Sequence, residues 1–141
     1  MVLSVLLVSL AVVGCRGAAS EPPVEGAMLI GQGGGFTGLY SGYLLRSDGS
    51  VFRWSQMPGQ AEQTEPVGQV PADSLQPFFR QLVEWERRKL NLAGAGNVTE
   101  FVELRHGEHR YRLQWGIGDS IPQEVREFTR IVYRFLRRHL P

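Results

Sequence analysis

The sequence predicts an α+β domain: an antiparallel sheet with two helices packed on one face, in the order strands–helix–strands–helix, preceded by a signal peptide and a tether. Three observations carry this. Leu75, Phe78, Phe79, Leu82 and Val83 recur at i, i+3, i+4, i+7 and i+8, and Val125, Phe128, Val132, Phe135 and Leu136 form a second apolar stripe of helical period. His109 to Trp115 alternates instead, with Tyr111, Leu113 and Trp115 on one face and Arg110, Arg112 and Gln114 on the other, the period of a half-buried strand. Two tight-turn signals, Ser47-Asp48-Gly49-Ser50 and His106-Gly107-Glu108, separate extended runs. The expected division is a signal peptide at 1–14, an acylated Cys15 with a flexible tether at 15–27, and one domain at 28–141.

The elements follow in two similar passes. Met28 to Ile30 reads as a short strand, followed by Gly33-Gly34-Gly35-Phe36-Thr37-Gly38 and a second strand from Leu39 to Arg46. The Asp48-Gly49 pair supplies the positive φ angles of a tight hairpin, which returns as Val51 to Trp54 with Phe52 and Trp54 on one face. A loop with Pro58, Gly59, Pro66 and Gly68 holds an edge strand at Val67 to Val70. Asp73 or Ser74 then caps a helix running to about Lys89, with Pro77 tolerated where first-turn amides lack helical partners. Trp85 falls off the stripe and reads as exposed. Val98 to Arg105 and His109 to Trp115 form the second hairpin. Ser120 or Ile121 opens the last helix, with Pro122 in its first turn and Glu124 favourable to the dipole.

The 141-residue chain has the size of one domain, and its 15 basic and 14 acidic residues leave a net charge of +1. A nucleic-acid binder would normally carry a clear basic excess. Residues 1–14 contain no charged side chain, and as a helix they would span about 21 Å, short of the ~30 Å of a bilayer core but suited to the apolar region of a signal peptide. The run ends at Val12-Val13-Gly14-Cys15, where the chain's one cysteine stands. That tetrapeptide resembles the lipobox of bacterial lipoproteins. The resemblance implies cleavage before Cys15, a diacylglyceryl group on its thiol and an acylated amine. Such a protein is held on the bacterial cell envelope. Arg16 in place of the aspartate that retains enteric lipoproteins at the inner membrane implies the outer membrane, facing the periplasm. Arg16 to Ala27, rich in Pro, Gly and Ala without periodicity, reads as the tether.

Gly33, Gly35 and Gly38 match the spacing of a dinucleotide-binding turn, but that site needs a helix to begin there. Leu39-Tyr40-Ser41-Gly42-Tyr43-Leu44 is strand-like, so the nucleotide reading is rejected. Two readings remain for the 33–38 loop. One is a glycine-rich turn between close strands; the other is an exposed recognition loop with Phe36 at its tip. His106 and His109, near Glu103 and Glu108, sit on a polar turn and lack the convergence a metal centre needs. No catalytic motif occurs, and no cofactor or metal is expected. Arg87-Arg88-Lys89 and Arg134, Arg137, Arg138 and His139 close the two helices, where cations complement the dipole. In a tethered domain they could also meet anionic lipid head groups.

The strand, the Gly-Gly-Gly-Phe-Thr-Gly turn, the Ser-Asp-Gly hairpin and Phe52-Arg53-Trp54 resemble small bacterial lipoproteins of unestablished function. Over about Met28 to Leu140 the order of elements also resembles emfourin, a protein inhibitor of thermolysin-like metalloproteases. That family opens with a strand and a Gly-Gly-Phe-x-Gly turn. The likeness implies inhibition of a metalloprotease, with Gly33, Gly34, Gly35, Phe36, Thr37 and Gly38 as the contact. The Asp48-Gly49 hairpin and the anchor depart from it. The expectation is therefore a non-enzymatic, membrane-anchored binding module that engages a protease or envelope protein through the 33–38 loop. The alternative is a structural envelope lipoprotein whose basic helix ends contact anionic lipid or polymer.

Overall fold

The computed structural model describes residues 21–94 and 96–141; the expected signal peptide, Cys15 and residues 16–20 lie outside them. Eight elements follow in order: β1 (Ala27–Gly34), β2 (Leu39–Arg46), β3 (Ser50–Gln56), β4 (Gln63–Gln69), α1 (Ala72–Arg87), β5 (Val98–His106), β6 (His109–Gly116) and α2 (Gln123–His139). One six-stranded sheet runs β4-β3-β2-β1-β5-β6, every pair antiparallel. The first four strands meander outward, and after α1 the chain returns on the other side of β1, which becomes a central strand. This is the expected α+β arrangement, with both helices on one face.

Alternation sets the two faces. Met28, Ile30, Leu45, Val51, Val102, Leu104, Leu113 and Trp115 point toward the helices and are buried with Leu75, Phe79, Leu82, Val125, Val132 and Leu136. Each helix also buries a flank on the other: Phe78 packs edge-on against Phe128 and Phe135, and Trp85 against Phe128 at 5.0 Å between ring centroids. That second contact corrects two expectations. Trp85 is fully buried, its indole N–H donating to Glu124 Oε2 at 3.1 Å, whereas Val83 is exposed. The helix starts also shift. α1 begins at Ala72 behind Pro71, and α2 at Gln123 behind Pro122, neither with a side-chain cap.

Two strands differ in extent from the sequence reading. β1 runs on through Gln32 to Gly34 because, as a central strand, it bonds to β2 and β5 along its whole length. β4 begins at Gln63 rather than Val67 and contains Pro66, tolerated at a sheet edge where no further strand needs its missing N–H. Ahead of β1, Glu21–Gly26 is fastened to the fold. The Gln76 side-chain amide exchanges two hydrogen bonds with the Val24 backbone, at 2.8 and 3.2 Å, and Arg80 donates to the Glu21 carbonyl at 3.2 Å. No helix among the described residues is long and apolar enough to cross a membrane.

The helix-free face is buried too, without a covering element. Leu29, Leu44, Trp54 and Phe101 form a second cluster, backed by Tyr40 and Phe52. Opposite Gly31 and Gly42 the strands close so tightly that a Cβ on Gly42 would stand 2.1 Å from the Ile30 carbonyl oxygen. Over this paired glycine gap the Trp54 and Phe101 rings meet edge-to-face at 5.8 Å. Guanidinium groups roof the rest: Arg46 lies 4.5 Å above Phe52, and Arg112 lies 3.9 Å above Phe101.

Candidate recognition site

The 33–38 segment is the tip of the β1–β2 hairpin. Gly34 pairs with Leu39, and the chain reverses through residues 35–38, with Gly34, Gly35 and Gly38 at φ of +98°, +68° and +66°. These left-handed angles favour glycine, which explains the composition of the turn. The Gly35 N–H donates to the Asn97 carbonyl, tying the tip to the start of β5, and the Leu39 N–H donates to Thr37 Oγ1 at 3.3 Å. Pro58 packs over Gly38, where an added Cβ would stand 2.7 Å from its Cγ. The tip is thus held from two sides, by Asn97 and Pro58, and braced internally by Thr37, and Phe36 is wholly exposed. Both sequence readings of the loop hold in part: it is a tight turn, and it presents an aromatic ring to solvent. A strand rather than a helix follows it, as the rejection of the nucleotide reading required.

The apolar surface does not stop at Phe36. Leu39, Met57, Val98 and Ile117 are exposed as well. Leu39 and Val98 flank Gly34 in the pairing register, Met57 follows the last β2–β3 pair, Tyr40 with Gln56, and the Ile117 N–H donates to the Val98 carbonyl. Five of the seven large hydrophobic side chains exposed among the described residues therefore stand at one end of the sheet. Charge is sparse at that end. No charged residue occurs in Met28–Leu45, Trp54–Ala61, Gly96–Thr99 or Leu113–Gly118, and Asp119, in the turn after Ile117, has its carboxylate occupied by the Gly116 N–H at 2.7 Å. Apolar, aromatic and methionine side chains with few charges are what distinguish the core of a protein interface from ordinary surface. Phe36 is legible in the sequence through its glycines; its four companions are not. They come from separate segments, and only the strand order brings them together.

The remaining candidate groups assemble elsewhere. Glu103, expected beside the histidines, faces the helix-free side with a side chain 6% exposed and three arginines around it. Arg105 Nε approaches Oε1 at 2.6 Å, Arg110 Nη1 approaches Oε1 at 3.1 Å, and Arg112 Nη1 approaches Oε2 at 3.2 Å. Arg105 is held from its other side by the Glu62 carboxylate at 2.6 and 2.8 Å. Burial would raise the Glu103 pKa, but the hydrogen bonds and charges of Arg105 and Arg112 outweigh it, and the carboxyl is held below its usual range. Glu62 is lowered chiefly by its hydrogen bonds from Arg105. Groups held ionised in this way brace the sheet and have no spare proton for acid catalysis. His109 pairs with Glu86 on α1, and no set of three ligating side chains that could hold a metal occurs among the described residues.

The cations at the helix ends divide. Arg87 is engaged by Glu84 at 2.7 Å and Arg88 by Glu124 at 2.8 Å, while among the described residues Arg126, Arg134, Arg137 and Arg138 have no carboxylate partner. A depression between α2 and the sheet is lined by Glu100, Trp115, Ile121, Arg126, Thr129 and Tyr133. In it Glu100 accepts the Trp115 indole N–H at 2.8 Å, and burial, with the nearby Glu100 charge, pushes Tyr133 up to about 12. No protein-family model matches the chain, and no curated protein matches it.

Proposed function

We propose that the chain is a lipid-anchored lipoprotein of the bacterial envelope whose folded domain is a non-enzymatic binding module, with the β1–β2 hairpin tip as its recognition element. The observation that carries this reading is the apolar, sparsely charged end of the sheet, crowned by Phe36 on a turn tied to β5 through Asn97. A phenylalanine on a held turn has only two side-chain torsions to order on binding and offers a large contact area, which suits it as an anchor side chain. The emfourin resemblance makes a secreted thermolysin-like metalloprotease the first partner to test. In that complex Phe36 would occupy an apolar pocket of the enzyme, with the glycines admitting a close approach of its walls. The Val12-Val13-Gly14-Cys15 pattern supports the anchor.

Two experiments test the two parts. Titration of a thermolysin-like protease with the wild-type chain and with Phe36→Ala should show inhibition that the substitution weakens by at least tenfold. Pull-down from a solubilised envelope with the same pair extends the test to other partners, and identical partner sets from both chains would refute the role of the tip. Cys15→Ser should abolish the added acyl mass and release the chain from the membrane fraction; an unchanged mass and distribution would refute the anchor.

A further inference from the structure

Five of the chain's fifteen Lys and Arg residues fall on α2, against two glutamates, in a chain whose overall excess is one positive charge. Arg126, Arg130 and Arg134 recur every four residues and Arg137 and Arg138 extend the row, so all five lie along one side of the helix for about 18 Å. All five are exposed, and only Arg130 has a carboxylate partner, Glu127 at 2.7 Å, among the described residues. Complementing the helix dipole needs cations in the last turn alone. Arg126 lies in the first turn of α2 and Arg130 in its middle, where the dipole gives them no reason to be.

The attachment of the N-terminal segment bears on what this row meets. Glu21–Val24 is fastened to Gln76 and Arg80 of α1, the helix that packs beside α2 through Phe78, Trp85, Phe128 and Phe135. The chain therefore leaves the domain from the helical layer, the layer that carries the row. From Glu21 back to Cys15 is a stretch that even fully extended spans no more than about 20 Å. We infer that the α2 arginine row docks on the anionic head groups of the membrane that holds Cys15, laying the outer side of α2, away from its buried stripe, on the bilayer. This rests on the lipid anchor of the preceding section. It differs from a role for the helix ends in general, since two of the three cations closing α1, Arg87 and Arg88, are occupied by Glu84 and Glu124.

The test uses the full acylated chain in vesicles of phosphatidylcholine and of phosphatidylcholine mixed with phosphatidylglycerol. Because acylation consumes Cys15, a fluorophore can be placed on Gln123→Cys at the start of α2, or on Thr37→Cys at the tip, and quenched by a head-group spin label. Quenching at 123 should appear only in the anionic vesicles, fade with salt, and fall with Arg130→Glu, Arg134→Glu and Arg137→Glu combined, while 37 stays unquenched. A surface arginine near anionic lipid contributes about fivefold in partitioning, so the triple variant should lower the docking equilibrium constant about a hundredfold. Equal quenching at 123 in both vesicle types, no response to the triple variant, or quenching at 37 instead would overturn the inference. If the chain does not float with neutral vesicles, the anchor itself fails. The α2 row is then judged by flotation with anionic vesicles, which the triple variant must lower by the same factor.

Discussion

Glu103 shows how one side chain can look like one thing in sequence and serve as another. Its neighbours His106, Glu108 and His109 suggest a polar turn, yet strand alternation turns Glu103 onto the helix-free face among Arg105, Arg110 and Arg112. Removing it would leave three guanidinium groups converging on an empty site, so Glu103→Ala should cost about 3 kcal/mol, measured by denaturant unfolding. The pH dependence has a definite sign. A carboxyl held below its unfolded value contributes stability above that value and loses it as pH falls through the folded one. Wild-type stability should therefore drop on acidification below the ordinary glutamate range, and Glu103→Gln should flatten that drop. Phe36→Ala, by contrast, removes a ring that touches no core and should change stability by less than about 0.5 kcal/mol. Trp85→Phe loses the hydrogen bond to Glu124 along with some packing and should cost about 1–2 kcal/mol.

Helices and hairpins were legible from sequence where one physical rule governs them, and obscure where two compete. The stripe Leu75-Phe79-Leu82 located α1, but a single stripe describes a helix buried on one side. α1 packs against the sheet and against α2, so Trp85 goes inside and Val83 outside. The sequence marks only Met28–Ile30 of β1 because Gln32-Gly33-Gly34 has no apolar alternation; partners on both edges extend the strand regardless. β4 lacks alternation for the opposite reason, being an edge strand with little to bury. The paired Gly31 and Gly42 are an element-scale constraint that sequence periodicity does not register. Gly42→Ala would drive a methyl group into the Ile30 carbonyl and force β1 and β2 apart beneath Trp54 and Phe101. A loss of 2 kcal/mol or more is expected, about the size of overpacking elsewhere, and near-ultraviolet dichroism of Trp54 should report it alongside the unfolding midpoint.

Across the whole molecule, polarity is segregated by place. The helical layer carries the arginine row and the fastened N-terminal segment, the helix-free face carries aromatic rings roofed by guanidinium groups, and the far end of the sheet gathers Phe36, Leu39, Met57, Val98 and Ile117 with few charges. Phe36 was legible because four glycines flank an aromatic residue that no core pattern explains. Its companions were not, since they are distant in sequence and become neighbours only once β5 returns beside β1. A photoreactive residue placed at position 36 of the anchored chain, with a second at position 107 in the β5–β6 turn as the control, tests the central claim most directly when irradiated in intact envelopes. A discrete protein adduct from position 36 and none from 107 is the predicted result. Equal labelling from both positions, or adducts with lipid alone from position 36, would contradict it.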